Sequence, residues 1–555
     1  MNRRELLTMS ARRNASRKSL NSNVQFNKSQ NPQSQVRTLA VGMEPYSGEW
    51  TYKQAAHLLR RCMYGVKDSE IRQAVKDGLD KTVKTLFKSW TPQLEELESW
   101  VNSTDIQVRP EGSPPTQQQQ LDFTILYNTH KSQYQRWLIK IMANQPVSLQ
   151  EKMVQFWSNH FVTDADTVKV TEFMHTLAQM FRTKGYGNFK QMVREVTTDV
   201  SMLIYLDGIK NVYNAKKPGI NENYAREVQE LFTMGVYDWS GKENYSQKDI
   251  SEMARALSGW NLTLNPSKGT DVRTNIYRTR EATFYPATWD PNDKTIYGKT
   301  GKWKVDDVVD LMFNERGDAI SKYICEKIYK EFVYIVPDRT AIAEMAKTFK
   351  NSNWEIKPVI DQLLRSAHFY DESNIGAIEK SPFGYMIGLV RALGLTNIPD
   401  FTLSDTSRTA GNLASRMAAM GQEVANPPNV KGWEGGRLWI SVSTLPTRQK
   451  FLIDVMDAKI TVRVNGKQTV IYTFDAVAFA KSFPDYNDIH KLVDNMNQFF
   501  LNTKPSTKEA NLLYATLLDG GVDYEWNVDD TKQRAAERIK KYIKAVATVA
   551  KLQLT

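Results

Sequence analysis

Apolar residues recur at helical spacing through nearly the whole chain after residue 50, and this periodicity limits the fold more than any other feature. Positions i, i+3, i+4 and i+7 carry the apolar side chains over Gln117 to Asn144, so that stretch reads as one long amphipathic helix. Similar patterns cover Val170–Thr183, Asn188–Tyr205, Asn221–Met234 and Ser246–Gly259, and then Val305–Phe313, Asp318–Phe332, Thr340–Phe349 and Ile356–Ala367. Punctuation agrees with the period. Thr51 with Gln54 and Ser148 with Glu151 have capping-box spacing, Gly65 can end the first helix, and Ser381-Pro382 opens another.

Two regions break the pattern. Asn261 to Lys302 is rich in Pro, Gly, Asn and aromatic residues and reads as a long loop with short strands. Ile460–Val464 and Lys467–Tyr472 flank Asn465-Gly466, the signature of a hairpin closed by a type I′ turn. The fold class expected is therefore mainly α: one large multi-helical domain over residues 46–555 with long irregular loops. A small β-hairpin within 455–475 and a C-terminal helix within 531–555 complete it.

At 555 residues, with 41% apolar composition, the chain can bury a substantial core. The formal charge of +11 suggests an anionic partner, but its distribution removes most of that suggestion. Residues 1–38 hold eight basic residues against Glu5, which accounts for +7 and leaves the remainder near balance. Residues 1–45 read as a disordered basic tail. No zinc-finger spacing, aromatic ribonucleoprotein motif or P-loop accompanies the charge, so no nucleic-acid partner is expected. Arg3-Arg4-Glu5-Leu6-Leu7 resembles the start of a twin-arginine signal, but the apolar segment such a signal needs does not follow it. That predicts a cytoplasmic or atypically exported protein. No run is long and apolar enough to span a membrane. Cys62 and Cys325 lie far apart in helical patterns, as packing residues do.

The densest polar segment is Asn221 to Phe232. Tyr224, Ala225, Val228, Leu231 and Phe232 fill one side of the helical wheel, Glu222, Arg226 and Glu230 form an i, i+4 ladder on the other, and Asn223, Glu227 and Glu230 share a narrow sector. A charge-paired helix face explains the ladder; Asn223 and Glu227 are left over. Glu227 and Glu230 with His160 are the candidates for acid-base chemistry. His160 also has a simpler reading as a packed histidine beside Phe156 and Trp157. Asn221, Asn223 and Arg226 on the polar helix, Trp260 at a helix end, and Asn429, Trp433 and Trp439 in a loop rich in Pro and Gly are candidate binding residues. The loop tryptophans can offer ring faces to a sugar or plug the core. Asp290 and Asp293, with Asn292 between them, carry oxygen atoms of the kind a divalent cation takes, although neither the Gly nor the closing Glu of an EF-hand is present. No other cofactor is expected.

Five segments carry a resemblance. His57-Leu58-Leu59-Arg60-Arg61, Trp157 to His160, Asn221 to Gly235, Ala254 to Trp260 and Pro427-Pro428-Asn429-Val430-Lys431-Gly432-Trp433 stand in the order found in a bacterial family, domain of unknown function 1800. The resemblance implies a largely helical fold and no defined activity. It also implies a gene neighbourhood shared with the domain of unknown function 1501 family, whose members look like sulfatases and phosphatases, and an extracytoplasmic setting. Where many relatives carry His-Asp, this chain has Trp289-Asp290. Two functions follow as expectations. One is a binding or scaffold protein that works beside a 1501-family partner; the other is a hydrolase of envelope or polysaccharide substrates using Glu227, Glu230 and His160.

Overall fold

The N-cap of the first helix is Thr51, whose hydroxyl accepts from the Lys53 amide, and α1 runs Tyr52–Cys62. Arg60 and Arg61 fill its last turn, where cations favour the carbonyl end of the dipole. The computed structural model describes residues 42–92, 99–108, 116–216, 220–268, 276–395, 413–457, 459–464, 467–529 and 534–555. The basic stretch up to residue 41 and the Asn465-Gly466 turn lie outside them. Gly42 to Tyr46, expected mostly as tail, runs against Arg365–His368 through backbone hydrogen bonds.

Helices α2 (Asp68–Leu86), α3 (Gln117–Asn144) and α4 (Gln150–His160) follow. The first of these consists of two helical segments separated by a kink at Gly78, whose φ is +75°. Next come α5 (Ala165–Val168), α6 (Thr171–Lys184), α7 (Phe189–Thr197), α8 (Val200–Tyr205), α9 (Asn223–Glu230) and α10 (Gln247–Ala256). The single helix expected over 188–205 is split because Asp199 caps a new start, accepting from the Ser201 and Met202 amides. The polar helix is shorter than its period suggests. It ends at Glu230 and the chain turns at Gly235, which has φ +72°.

The aperiodic region holds the short strands expected of it. Strands β1 (Ile106–Gln107), β2 (Trp260–Leu264) and β3 (Tyr277–Phe284) form an antiparallel sheet ordered β1-β3-β2, with Trp260 opposite Phe284. β4 (Lys294–Ile296) and β5 (Lys299–Gly301) make a second ladder, and β6 (Lys459–Val464) and β7 (Lys467–Thr473) are the predicted hairpin in register Val464–Lys467.

The long α11 (Val305–Phe332) is interrupted by non-helical backbone at Arg316 (φ −127°), between the two helices expected over Val305–Phe313 and Asp318–Phe332. It packs against α12 (Arg339–Asn351) and α7, and α13 (Ile356–Arg365) closes over α12. The remaining helices are α14 (Pro382–Ala392), α15 (Leu413–Ala419), α16 (Thr444–Asp457), α17 (Ala476–Lys481), α18 (Ile489–Phe500), α19 (Thr507–Leu518) and α20 (Ala535–Val546). One continuous apolar core joins α1 to α20, so the described residues after 41 form a single packed unit. Trp157 sits at its centre with its indole N–H donating to the Gly185 carbonyl at 2.9 Å and its ring stacked on Phe161 and Phe189. Both cysteines are buried free thiols, which fits their packing role.

Candidate functional site

A cleft of about 400 Å³ opens where the ends of α1, α4, α11 and α14 meet the loop 429–439. Its formation depends on a close backbone approach. After α1 the chain reverses at Gly65 with φ +79°, and a Cβ there would lie 2.5 Å from Gly388 Cα in α14. On the opposite wall Asn159 of α4 clamps the loop. Its Oδ1 accepts from the Trp433 amide at 2.7 Å and its Nδ2 donates back to the Trp433 carbonyl at 3.2 Å. Gly432, with φ +77°, is required by that clamp, since a Cβ would fall 2.2 Å from Asn159 Oδ1.

The cleft walls carry more cations than carboxylates, and the excess is concentrated in a few side chains. Lys152 is neutralised by Glu331, and Lys330 by Glu326 at 2.7 Å. Arg60 spends its N–H groups on Asn502 and on the Phe499 carbonyl. Arg61 differs. Its side chain is 1% exposed, Nη2 donates to the Asn374 carbonyl at 2.6 Å, and Nε and Nη1 have no partner. Burial pushes this guanidinium down to about 9, against the pull of Glu331. Lys327 donates to the Leu231 carbonyl, Lys380 to the Leu552 carbonyl at 2.8 Å, and neither has a carboxylate partner among the described residues. Burial, with Lys330 alongside, lowers Lys327 to about 8; burial, with Arg60 and Arg448 alongside, lowers Lys380 to about 7. One oxygen of Glu379, Oε2, is also buried without a partner.

His160 lines the same cleft. Its Nε2 donates to the Phe232 carbonyl at 2.9 Å, which leaves Nδ1 as an unpartnered acceptor. Burial, reinforced by Lys327, holds the ring well below the usual histidine value, so it is neutral. A smaller adjoining recess brings His160 together with Glu230, Lys327 and Lys431. Of the expected acid-base trio, His160 and Glu230 therefore line one recess and Glu227 is not among its lining residues.

The other expected site residues are scattered. Asn223 donates to the Leu206 carbonyl at 3.2 Å, and Asn221 accepts from the Asn223 amide and reaches the Asp207 carbonyl. These amides fasten the start of α9 to the end of α8. Arg226 bridges Glu222 at 3.5 Å and Gln247 at 3.1 Å, while Glu230 meets the Tyr245 hydroxyl instead of completing the ladder. Trp260 packs on Phe284 across the sheet, remote from the cleft lining. Asn429 shapes the turn, its Oδ1 accepting from the Lys431 amide at 2.8 Å. Trp433 and Trp439 do line the cleft, but Trp433 stands edge-on to Phe383 and Trp439 is 8% exposed, so neither offers a broad open ring face.

The Asp290 loop is built around an internal cation. Lys294 donates to the carbonyls of Asp290 at 2.6 Å and Asn292 at 2.8 Å, and its ammonium lies 4.2 Å from the Trp289 ring centre. Burial would raise Asp290, but Arg255 at 2.7 Å and the Asn292 amides hold its carboxyl below the usual range. Its oxygens are committed to Arg255 and Asn292, and Asp293 is exposed. No group of three or more His, Cys, Asp or Glu suited to a metal occurs among the described residues. Trp289 serves here as the floor under Lys294.

Sequence reasoning named His160, Trp433 and Trp439 but missed Arg61, Lys327 and Lys380. The signal for the first two was present. Arg61 falls among the buried positions of α1, and Lys327 follows the core positions Ile324 and Cys325. Lys380, in a loop, has no local pattern.

Fold and cleft together define a large helical protein with a cation-lined central cleft. The model of a family described as a protein of unknown function, DUF1800, matches residues 57–539, and the chain belongs to that family. No curated protein matches the chain, and no solved structure does. Three of the five segments that carry the family resemblance, those ending at Arg61, His160 and Trp433, meet at the cleft, while the polar helix contributes Glu230 and Leu231 to the adjoining recess.

Proposed function

We propose that this protein is a binding protein whose cleft receives an anionic group of its ligand. The observation that carries the proposal is the buried Arg61, two of whose N–H groups have no partner among the described residues, in one cleft with Lys327 and Lys380, neither of which has a carboxylate partner among those residues. Buried donors left unpaired cost roughly 1–3 kcal/mol each, and an entering anion would recover that cost. An anion would also favour the protonated state of both lysines.

Calorimetric titration with inorganic pyrophosphate tests this. Binding is expected to weaken about tenfold in Lys327→Gln, about 1.4 kcal/mol. The protonated fraction of the two lysines, and with it their contribution to affinity, should fall as pH rises through the values near 7 and 8 held by Lys380 and Lys327. At pH 8 binding should take up protons, seen as a dependence of the heat on buffer ionisation enthalpy. Absence of binding at pH 6.5 would sink the proposal.

The partnership with a protein of the domain of unknown function 1501 family rests on the resemblance. Co-purification from the native host tests it, and recovery of the chain alone under gentle extraction counts against it. A hydrolase working through Glu230 and His160 is the second reading, favoured by the recess they share; loss of turnover without loss of stability in Glu230→Gln is its signature.

A further inference from the structure

The mouth of the cleft is edged by aliphatic side chains that the fold leaves in solvent. Ile335 (42% exposed) and Val336 (63%) follow α11; Leu438 (67%) and Val442 (95%) follow the glycine pair of the opposite loop. The two loops touch: a Cβ on Gly436 would lie 2.8 Å from Ile335 Cδ1. Ile335, Gly436 and Trp439 also line the cleft, so the apolar rim and the cationic interior are continuous. Across residues 431–442, Lys431 and Arg437 are exposed and Glu434 is the sole acid.

We infer that this rim seats on the surface of an anionic lipid bilayer, with the cleft taking the phosphate headgroup of a lipid at the point of contact. The inference rests on the anion-binding reading of the cleft and adds the source of the anion. Two features favour a bilayer over a protein partner. The rim residues are aliphatic and project from loops, Val442 nearly free of neighbours, whereas energetic centres of protein interfaces are concave and rich in Trp, Tyr and Arg. Apolar side chains flanked by exposed basic ones match a surface that is hydrocarbon below and anionic above. No helix among the described residues is long and apolar enough to cross a membrane, so attachment would be to the surface.

The test is sedimentation of the full chain with vesicles of phosphatidylcholine alone and of phosphatidylcholine mixed equally with phosphatidylglycerol, alongside titration with glycerol 3-phosphate. The chain should sediment with the anionic vesicles and not with the neutral ones, less so at high salt. The double variant Leu438→Asp with Val442→Asp should lose about tenfold or more of vesicle binding and keep its glycerol 3-phosphate affinity and melting temperature. Lys327→Gln should weaken both. Failure of the wild type to sediment with anionic vesicles, with glycerol 3-phosphate still bound, overturns the bilayer inference and leaves the anion reading standing. Vesicle binding without any headgroup affinity overturns both. A double variant that sediments like the wild type, or whose only change is loss of a self-associated form on gel filtration, overturns the bilayer inference in favour of another occupant of the rim.

Discussion

At Gly65 and Gly388 two backbones meet at the cleft edge, yet the two glycines are not equivalent. A Cβ on Gly65 would strike Gly388 Cα and O at 2.5 Å in a left-handed conformation, whereas a Cβ on Gly388 would meet Gly65 Cα at an ordinary 3.5 Å. Gly65→Ala is therefore expected to cost about 3 kcal/mol and Gly388→Ala less than about 1 kcal/mol, read by urea unfolding. The cations of the cleft follow the same logic of environment. Arg60 and Arg61 are adjacent in sequence; one is satisfied by Asn502 and a carbonyl, and the other is buried with unpaired N–H groups. A helical wheel places Arg61 on the inner side of α1 but says nothing of what it meets there.

Among the elements, α4 shows where a local motif misled. Ser148 and Glu151 have the spacing of a capping box, but Leu149 is the N-cap and Glu151 is wholly buried. Its carboxylate takes two hydrogen bonds from Arg182 of α6, each 2.7 Å, and the guanidinium lies 5.3 Å from the Trp137 ring centre of α3. The residue is a clamp between three helices. Removing one partner of a buried pair strands the other, so Glu151→Ala is expected to cost about 3–5 kcal/mol. Ser148→Ala, which loses bonds to the Gln150 amide and the Lys88 carbonyl, should cost about 1 kcal/mol. Thermal melts of the two variants separate a cap from a clamp. For α9, the ladder expected from the wheel is half present: Arg226 meets Glu222, while Glu230 turns toward Tyr245. Asn223, unexplained by the wheel, is accounted for by the Leu206 carbonyl, a contact from a different helix.

For the whole molecule, the buried titrating groups make stability rise with pH in both the acid and the alkaline part of the range. His57, His160 and His175 are buried, and burial is the main cause that lowers each, with Arg61, Lys327 and Arg182 adding respectively. The unfolded chain takes up protons near pH 6.5 that the fold refuses, so stability should fall as pH drops below about 6.5, by at most about 4 kcal/mol per pH unit for the three together. Urea midpoints at pH 7.5 and 5.5 measure this. The depressed lysines act with the same sign at higher pH. Lys380 and Lys327 lose their protons in the fold before they do in the unfolded chain, so stability should rise from about pH 7 toward 10 while anion affinity declines. Stability and binding should thus respond oppositely to alkali.

Period and punctuation in the sequence determined that this chain is helical, where most helices lie, and that Lys459–Val464 and Lys467–Thr473 pair as strands, because each depends on neighbours a few residues away. Family membership was legible in the same way, from short ordered segments. The cleft was not. Arg61, His160, Lys327, Lys380 and Trp433 are brought together across most of the chain, and the desolvation that leaves Arg61 donors unpaired and makes Lys327 and Lys380 reluctant to hold protons exists only once distant elements have packed. Desolvation is set by the folded surroundings and not by the residue or its neighbours in sequence, so tertiary structure alone decided which of many polar residues became a site.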